Sequence, residues 1–178
     1  MPSAGDRARR GPSGEPLFFG MPIELRELHG PAIERVIPLL ALAEPQEEAL
    51  RWGLAHLSDT VYAVEDDGVL VGAVSMRWRG EPAEIEELAV AETRQGRGYG
   101  RAIVEAIMAE ARRRGKRAVD VGTPNASIGN IAFYQKCGFR MERIRRDYFA
   151  YYEHYYGGAR VENGIEVRDL VMFRRAVE

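Results

Sequence analysis

The chain has 178 residues, 46% of them apolar and 29% charged, which suits one globular domain with an ample core and excludes a disordered chain. No apolar stretch approaches the ~20 residues of a membrane helix, no n-region with an apolar h-region marks secretion, and a lone cysteine, Cys137, excludes a disulfide within the chain and leaves a thiolate metal site unsupported. The net charge of -2 argues against nucleic acid as the main partner, so a cytoplasmic protein is expected, with neither nucleic acid nor membrane as partner and with the basic runs 112–117 and 140–146 as solvated faces.

Residues 1 to about 20 are rich in Pro, Gly, Ser, Ala and Arg without periodicity, so they read as a flexible tail before a single domain over 21–178. The segment Ile23 to Leu28 alternates as a strand, and Pro31 opens a helix running to about Ala43, which Pro38 would kink or split. A second helix follows Pro45, from Gln46 to Leu57. Val61 to Glu65 and Val69 to Trp78 form a hairpin across Asp66, Asp67 and Gly68, and Ala83 to Val90 is a further strand. Ile103, Val104, Ile107, Met108 and Ala111 repeat at helical spacing until Gly115, with Arg112 to Arg114 in the last turn, where cations are favourable. Ala118 to Gly122 reads as a buried strand, Ser127 to Cys137 as a short helix closed by Gly138, Phe139 to Ile144 as a strand, and Val167 to Phe173 as the last strand. There is no internal repeat.

Between the strand ending at Val90 and the long amphipathic helix stands Arg94, Gln95, Gly96, Arg97, Gly98, Tyr99, Gly100, Arg101. Three glycines on alternate positions let a ligand reach the backbone, and the first turn of a helix leaves N–H groups without intrahelical partners. Those donors, the helix dipole and three arginines favour a phosphate or pyrophosphate. A phosphate loop of the kinase or ATPase type would continue with Lys and Ser or Thr, whereas Arg101 and Ala102 follow Gly100. A dinucleotide fold would want GxGxxG and an acidic residue ~20 positions on; the spacing here is GxGxG, and Asp120 meets the second condition by coincidence.

Gln95 to Gly100, with the later segment Asn130, Ile131, Ala132, Phe133, Tyr134, Gln135, Lys136, Cys137, Gly138, Phe139, resembles the GNAT superfamily of acyl-CoA-dependent N-acyltransferases. The first stretch matches that family's Q/R-x-x-G-x-G/A signature and the second its A-x-x-x-Y-x-x-x-G-F type of segment, and the resemblance covers roughly residues 22 to 175. It implies a mixed α/β fold, with a mostly antiparallel sheet of six to seven strands, about four flanking helices and splayed central strands. It implies acetyl-CoA as cosubstrate, its pyrophosphate on the turn formed by Gln95, Gly96, Arg97, Gly98, Tyr99, Gly100 and Arg101. The pantetheine amides would pair with the backbone of Leu88, Ala89 and Val90 as an added strand would. Many members carry Asn seven residues before the tyrosine, where this chain has Ser127, so Asn130 or Asn125 is the candidate for that contact; Ser127, Asn130 and Tyr134 share one helix face.

The acceptor sets its own demand. A primary amine has a pKa near ~10.4, so at neutral pH it must lose a proton before it attacks a thioester. Strand alternation puts Glu84 and Glu86 on one face and Glu87 on the other. Glu86 is the first candidate for the general base, directly or through a water, and Glu84 the second. Tyr134 is placed by the resemblance to protonate the leaving thiolate, and backbone N–H groups near Leu88 to stabilise the developing oxyanion. Cys137, at a helix end, reads as packed rather than nucleophilic. Tyr148 to Tyr156, which includes His154, is dense in aromatics and reads as a lid over the acceptor or as a dimer contact, so monomer and homodimer both stay open. The reading as a whole is an N-acetyltransferase without a metal, acting on an amine of a small molecule or peptide by direct attack. The alternatives are a peptide or protein N-terminal acetyltransferase and a non-catalytic acyl-CoA-binding module.

Overall fold

Alternate residues of the early strands face opposite ways, and each set finds its own core. The computed structural model describes residues 21–152 and 158–178. The expected tail, 1–20, lies outside them, as do His154, Tyr155 and Tyr156 of the aromatic stretch. Strands β1 (Ile23–Leu28), β2 (Thr60–Asp66), β3 (Val69–Arg77), β4 (Ala83–Val90), β5 (Ala118–Pro124), β9 (Leu170–Ala176) and β6 (Arg140–Arg145) lie in that spatial order in one seven-stranded sheet. Only the β4–β5 pair is parallel. The α-helices are α1 (Ile37–Leu40), α2 (Glu47–His56), α3 (Tyr99–Arg113) and α4 (Ile128–Lys136).

Val61 and Ala63 of β2 pack with Leu40 and Leu50 of α1 and α2 on one face of the sheet. Tyr62 and Val64 pack on the other face with Ile103 and Ile107 of α3 and Tyr134 of α4. The β2–β3 hairpin closes through Asp67 and Gly68, at φ +49° and +75°, the paired positive values that a two-residue turn between twisted strands requires.

Three elements differ from the sequence reading. The single helix expected from Pro31 is a 3-10 turn over Gly30–Val36 followed by α1, because Pro38 lacks an N–H and is accommodated in the first turn of a restarted helix. The last strand begins at Leu170 rather than Val167: Arg168 and Asp169 donate their amides to Asn125 Oδ1 at 2.9 and 3.0 Å and so belong to a clamp, not to the ladder. A short hairpin, β7 (Val161–Glu162) and β8 (Ile165–Glu166), precedes it and turns at Asn163 and Gly164, both at positive φ.

Candidate active site

The parallel seam between β4 and β5 is short. It pairs Ala83 with Val119, Glu84 with Asp120 and Ile85 with Val121, and beyond Ile85 the two strands part. A cleft of about 690 Å³ opens in the gap. Its β4 wall runs from Glu86 to Val90, a stretch paired to β3 from Glu87 onward on one side and open to the cleft on the other.

The glycine turn forms one end. Gly96 and Gly98 have φ of +72° and +92°, a conformation that side chains resist, and Gly98 begins α3 with no side chain capping the first amides. Ala102 N–H is bonded back to the Gly98 carbonyl at 3.0 Å, which leaves the amides before it directed at the cleft. A Cβ at Gly100 would stand 3.1 Å from Phe133, so glycine is also what lets α3 and α4 approach there. Gln95 donates its side-chain amide to the Val90 carbonyl at 3.1 Å and ties the turn to the end of β4. Tyr99 is buried, and its hydroxyl donates to Asp66, so within the turn it offers backbone rather than side chain.

Most of the residues singled out from the sequence meet in this cleft: Glu86, Leu88, Ala89 and Val90 from β4, Gln95, Gly96, Gly98, Tyr99, Gly100 and Arg101 from the turn, and Ser127, Asn130 and Tyr134 from α4 and its cap. Glu84 and Arg97 do not line it. Asn125 is a correction: it does not line the cleft, and its side chain is held in a clamp, one N–H donating to the Glu166 carbonyl while Oδ1 accepts from the amides of Arg168 and Asp169. Ser127 is also engaged, its hydroxyl donating to Glu162 Oε2 at 2.8 Å.

Glu87, which alternation assigns to the face away from Glu86, lines the cleft beside it. The reason is a β-bulge. Ser75 of β3 stands opposite Glu87 and Met76 opposite Ile85, so Glu86 is an extra residue, strict alternation breaks there, and both residues line the cleft. Their surroundings differ. Glu86 shares Arg77 with Glu84: Arg77 Nε stands 2.8 Å from Glu86 Oε1 as an ion pair, while its Nη2 donates to Glu84. Burial and the charge of Glu84 push the Glu86 carboxyl up, and Arg77 pulls it back. Glu87 has no such counter-ion among the causes that move it; burial, then the charges of Glu44 and Glu86, push its carboxyl up to about 8. Tyr134 is buried against Phe139 and Phe173, and burial, followed by the charge of Glu87, pushes its hydroxyl well above the ordinary tyrosine value. The thiol of Cys137 is buried and pushed up as well, as befits a packed cysteine.

Residues 26–139 match the Acetyltransferase (GNAT) family. The chain belongs to that family. It is 32% identical over 138 residues to the uncharacterized N-acetyltransferase YvbK of Bacillus subtilis, covering 78% of this chain and 86% of the relative. A GNAT family acetyltransferase from Elizabethkingia anophelis, solved with acetyl-CoA bound, superposes with a TM-score of 0.75 at 29% identity, over 86% of this chain and 97% of that one. A Bacillus subtilis acetyltransferase in complex with CoA gives 0.73 at 30% identity, over 88% and 98%.

This GNAT protein is therefore an acetyltransferase with acetyl-CoA as its cosubstrate, and its cleft has the features such a ligand needs. The unpaired amides and positive-φ glycines suit a pyrophosphate. The open edge of β4 suits an extended arm with two amides. The acetyltransferase cleft also has walls that sequence reasoning did not mark: Leu42 and Ala43 after α1, Thr123 of β5, and Arg160 and Glu162 at the β7–β8 hairpin. Asn163-Gly164 between Val161-Glu162 and Ile165-Glu166 is a strong hairpin signal that would have located the last of these. No helix among the described residues is long and apolar enough to cross a membrane.

Proposed function

We propose that this acetyltransferase acts on a primary amine of a small molecule or peptide by direct attack, without a covalent enzyme intermediate, and that Glu87 is the general base. The observation that carries the proposal is that Glu87 and Tyr134 line the same cleft, close enough for the charge of Glu87 to act on the Tyr134 hydroxyl. Acetyl-CoA supplies the acetyl group as a thioester already activated for transfer. A carboxyl with a pKa of about 8 is a stronger base toward an ammonium of ~10.4 than an ordinary carboxylate, and it is half ionised near working pH. Glu86 stands second, since Arg77 stabilises its charged form, and Glu84 third.

Glu87 takes the proton of the amine, whose freed lone pair forms the new C–N bond as the C–S bond breaks. Tyr134 keeps its proton throughout the neutral range and so donates to the leaving sulfur. Protonation of Glu87 removes one of the charges that hold Tyr134 up, so the first proton transfer eases the second. N–H groups of β4 near Leu88 face the carbonyl oxygen as its charge grows. Thiol release measured across pH 6 to 10 tests the assignment. Glu87→Gln should lower kcat/KM by about a hundredfold near pH 8 and recover part of it toward pH 10, where the amine loses its proton unaided. Glu86→Gln should lose less. A parent-like profile for Glu87→Gln with a collapsed one for Glu86→Gln would return the role to Glu86.

A further inference from the structure

The β7–β8 hairpin reaches the cleft without belonging to the main sheet. It forms a two-stranded sheet of its own, and its Glu162 and the preceding Arg160, 3.7 Å apart as an ion pair, supply one wall of the cleft. A lone hairpin is at best marginally stable in water. This one gains little from apolar packing: Val161 is 64% exposed and Ile165 41%, and Val167, at its foot, is the buried exception. Its position therefore depends on polar ties.

Those ties come from the turn that leads β5 into α4. Asn125, Ala126 and Ser127 each bond to the hairpin or its foot. Asn125 Nδ2 donates to the Glu166 carbonyl at 3.0 Å, its Oδ1 accepts from the amides of Arg168 and Asp169 at 2.9 and 3.0 Å, and its own amide donates to the Asp169 carbonyl at 2.9 Å. The Ala126 carbonyl accepts from Asn163 Nδ2 at 2.9 Å, and the Ser127 hydroxyl donates to Glu162 at 2.8 Å. The same turn caps α4, which carries Asn130 and Tyr134 to the cleft. Hairpin wall and helix wall thus share one support. Within it Asn125 touches no part of the cleft, yet its side chain holds three backbone groups of the hairpin and its foot.

We infer that Asn125 is a positioning residue for the acceptor: it fixes the hairpin so that Arg160 and Glu162 stand where the amine is held. The inference rests on acetyl transfer to an amine, as proposed above. Acetyl-CoA has the backbone of the glycine turn and of β4 to bind; the hairpin belongs to neither and presents side chains, so its placement bears on the amine more than on the cosubstrate. Thiol release from n-butylamine, spermidine and alanyl-glycinamide, at saturating acetyl-CoA, selects the fastest of the three for steady-state work. Asn125→Ala should raise the KM of that amine by about tenfold with kcat within about twofold, the size expected when several hydrogen bonds of modest net worth are lost together. Asn125→Asp, which keeps the acceptor for two amides, should restore much of the loss. Asn163→Gly keeps the positive φ of the hairpin turn and removes the bond to Ala126, so it probes the same support with little risk to folding. It should raise KM by about threefold, and by less than that when added to Asn125→Ala, because both changes release one hairpin. Acetyl-CoA affinity, measured by calorimetry, should stay within about twofold of the parent in each variant. An amine KM unchanged in Asn125→Ala and Asn163→Gly, or an acetyl-CoA affinity that falls as far as the amine KM rises, would overturn the inference and leave acetyl transfer standing. Failure of all three amines while acetyl-CoA still binds would sink both readings.

Discussion

In the folded chain Glu87 keeps its proton up to about pH 8, because burial and the charges of Glu44 and Glu86 oppose ionisation. In the unfolded chain the same carboxyl titrates near ~4.3. Between that value and about 8 the folded state binds more protons than the unfolded one, so stability falls as pH rises through this window. Glu87→Gln removes the titration. Thermal unfolding should therefore show variant and parent nearly equal at pH 4, with the variant the more stable at pH 9; a parent that holds its melting temperature across this range would contradict the burial assigned to Glu87. Tyr134 is tested at the same scale. Its ring packs against Phe139 and Phe173 with centroids 5.7 and 6.1 Å away, contacts that phenylalanine preserves. Tyr134→Phe should lower kcat by about tenfold, toward the weak end of acid–base effects because a thiolate leaves readily, and leave acetyl-CoA affinity within about twofold. A large rise in the acetyl-CoA dissociation constant would instead make Tyr134 a binding residue.

The glycine turn is an element whose purpose and strain separate cleanly by substitution. Gly98 at φ +92° starts α3, and Gly115 at φ +70° follows its end with nothing within 4 Å of an added Cβ. An aspartate at either site meets similar backbone strain, but only Gly98→Asp places a negative charge against the pyrophosphate. Calorimetry should find acetyl-CoA binding lost in Gly98→Asp and retained in Gly115→Asp; equal losses would point to strain alone. The geometry of this turn was legible in the sequence, because a glycine-rich turn opening a helix is local along the chain. So were the helical periods and the Asp67-Gly68 hairpin. The bulge that brings Glu87 beside Glu86 was not, since it is a property of how β3 and β4 pair and alternation within one strand assigns the two residues to opposite faces. The clamp at Asn125 escaped for the same reason: its partners Glu166, Arg168 and Asp169 are more than forty residues away. The Asn163-Gly164 hairpin was legible and overlooked.

At the scale of the molecule, strands β1 to β4 join the group β5, β9 and β6 through only three residue pairs, while α3 packs across both. Acetyl-CoA seated in the gap would bridge the two parts. Hydrogen exchange should therefore slow on binding at residues 83–85, 88–90 and 119–121 well beyond the change in β1 and β2, and a uniform slowing would mean that the ligand merely raises global stability. Peptide groups are alike at every residue, so a ligand held along the open edge of β4 asks little of the side chains at Leu88, Ala89 and Val90. The chemistry proposed for the other end rests instead on particular side chains, Glu87 and Tyr134. Descendants of this chain are thus at liberty to change that end one side chain at a time, while inheriting the acyl donor intact.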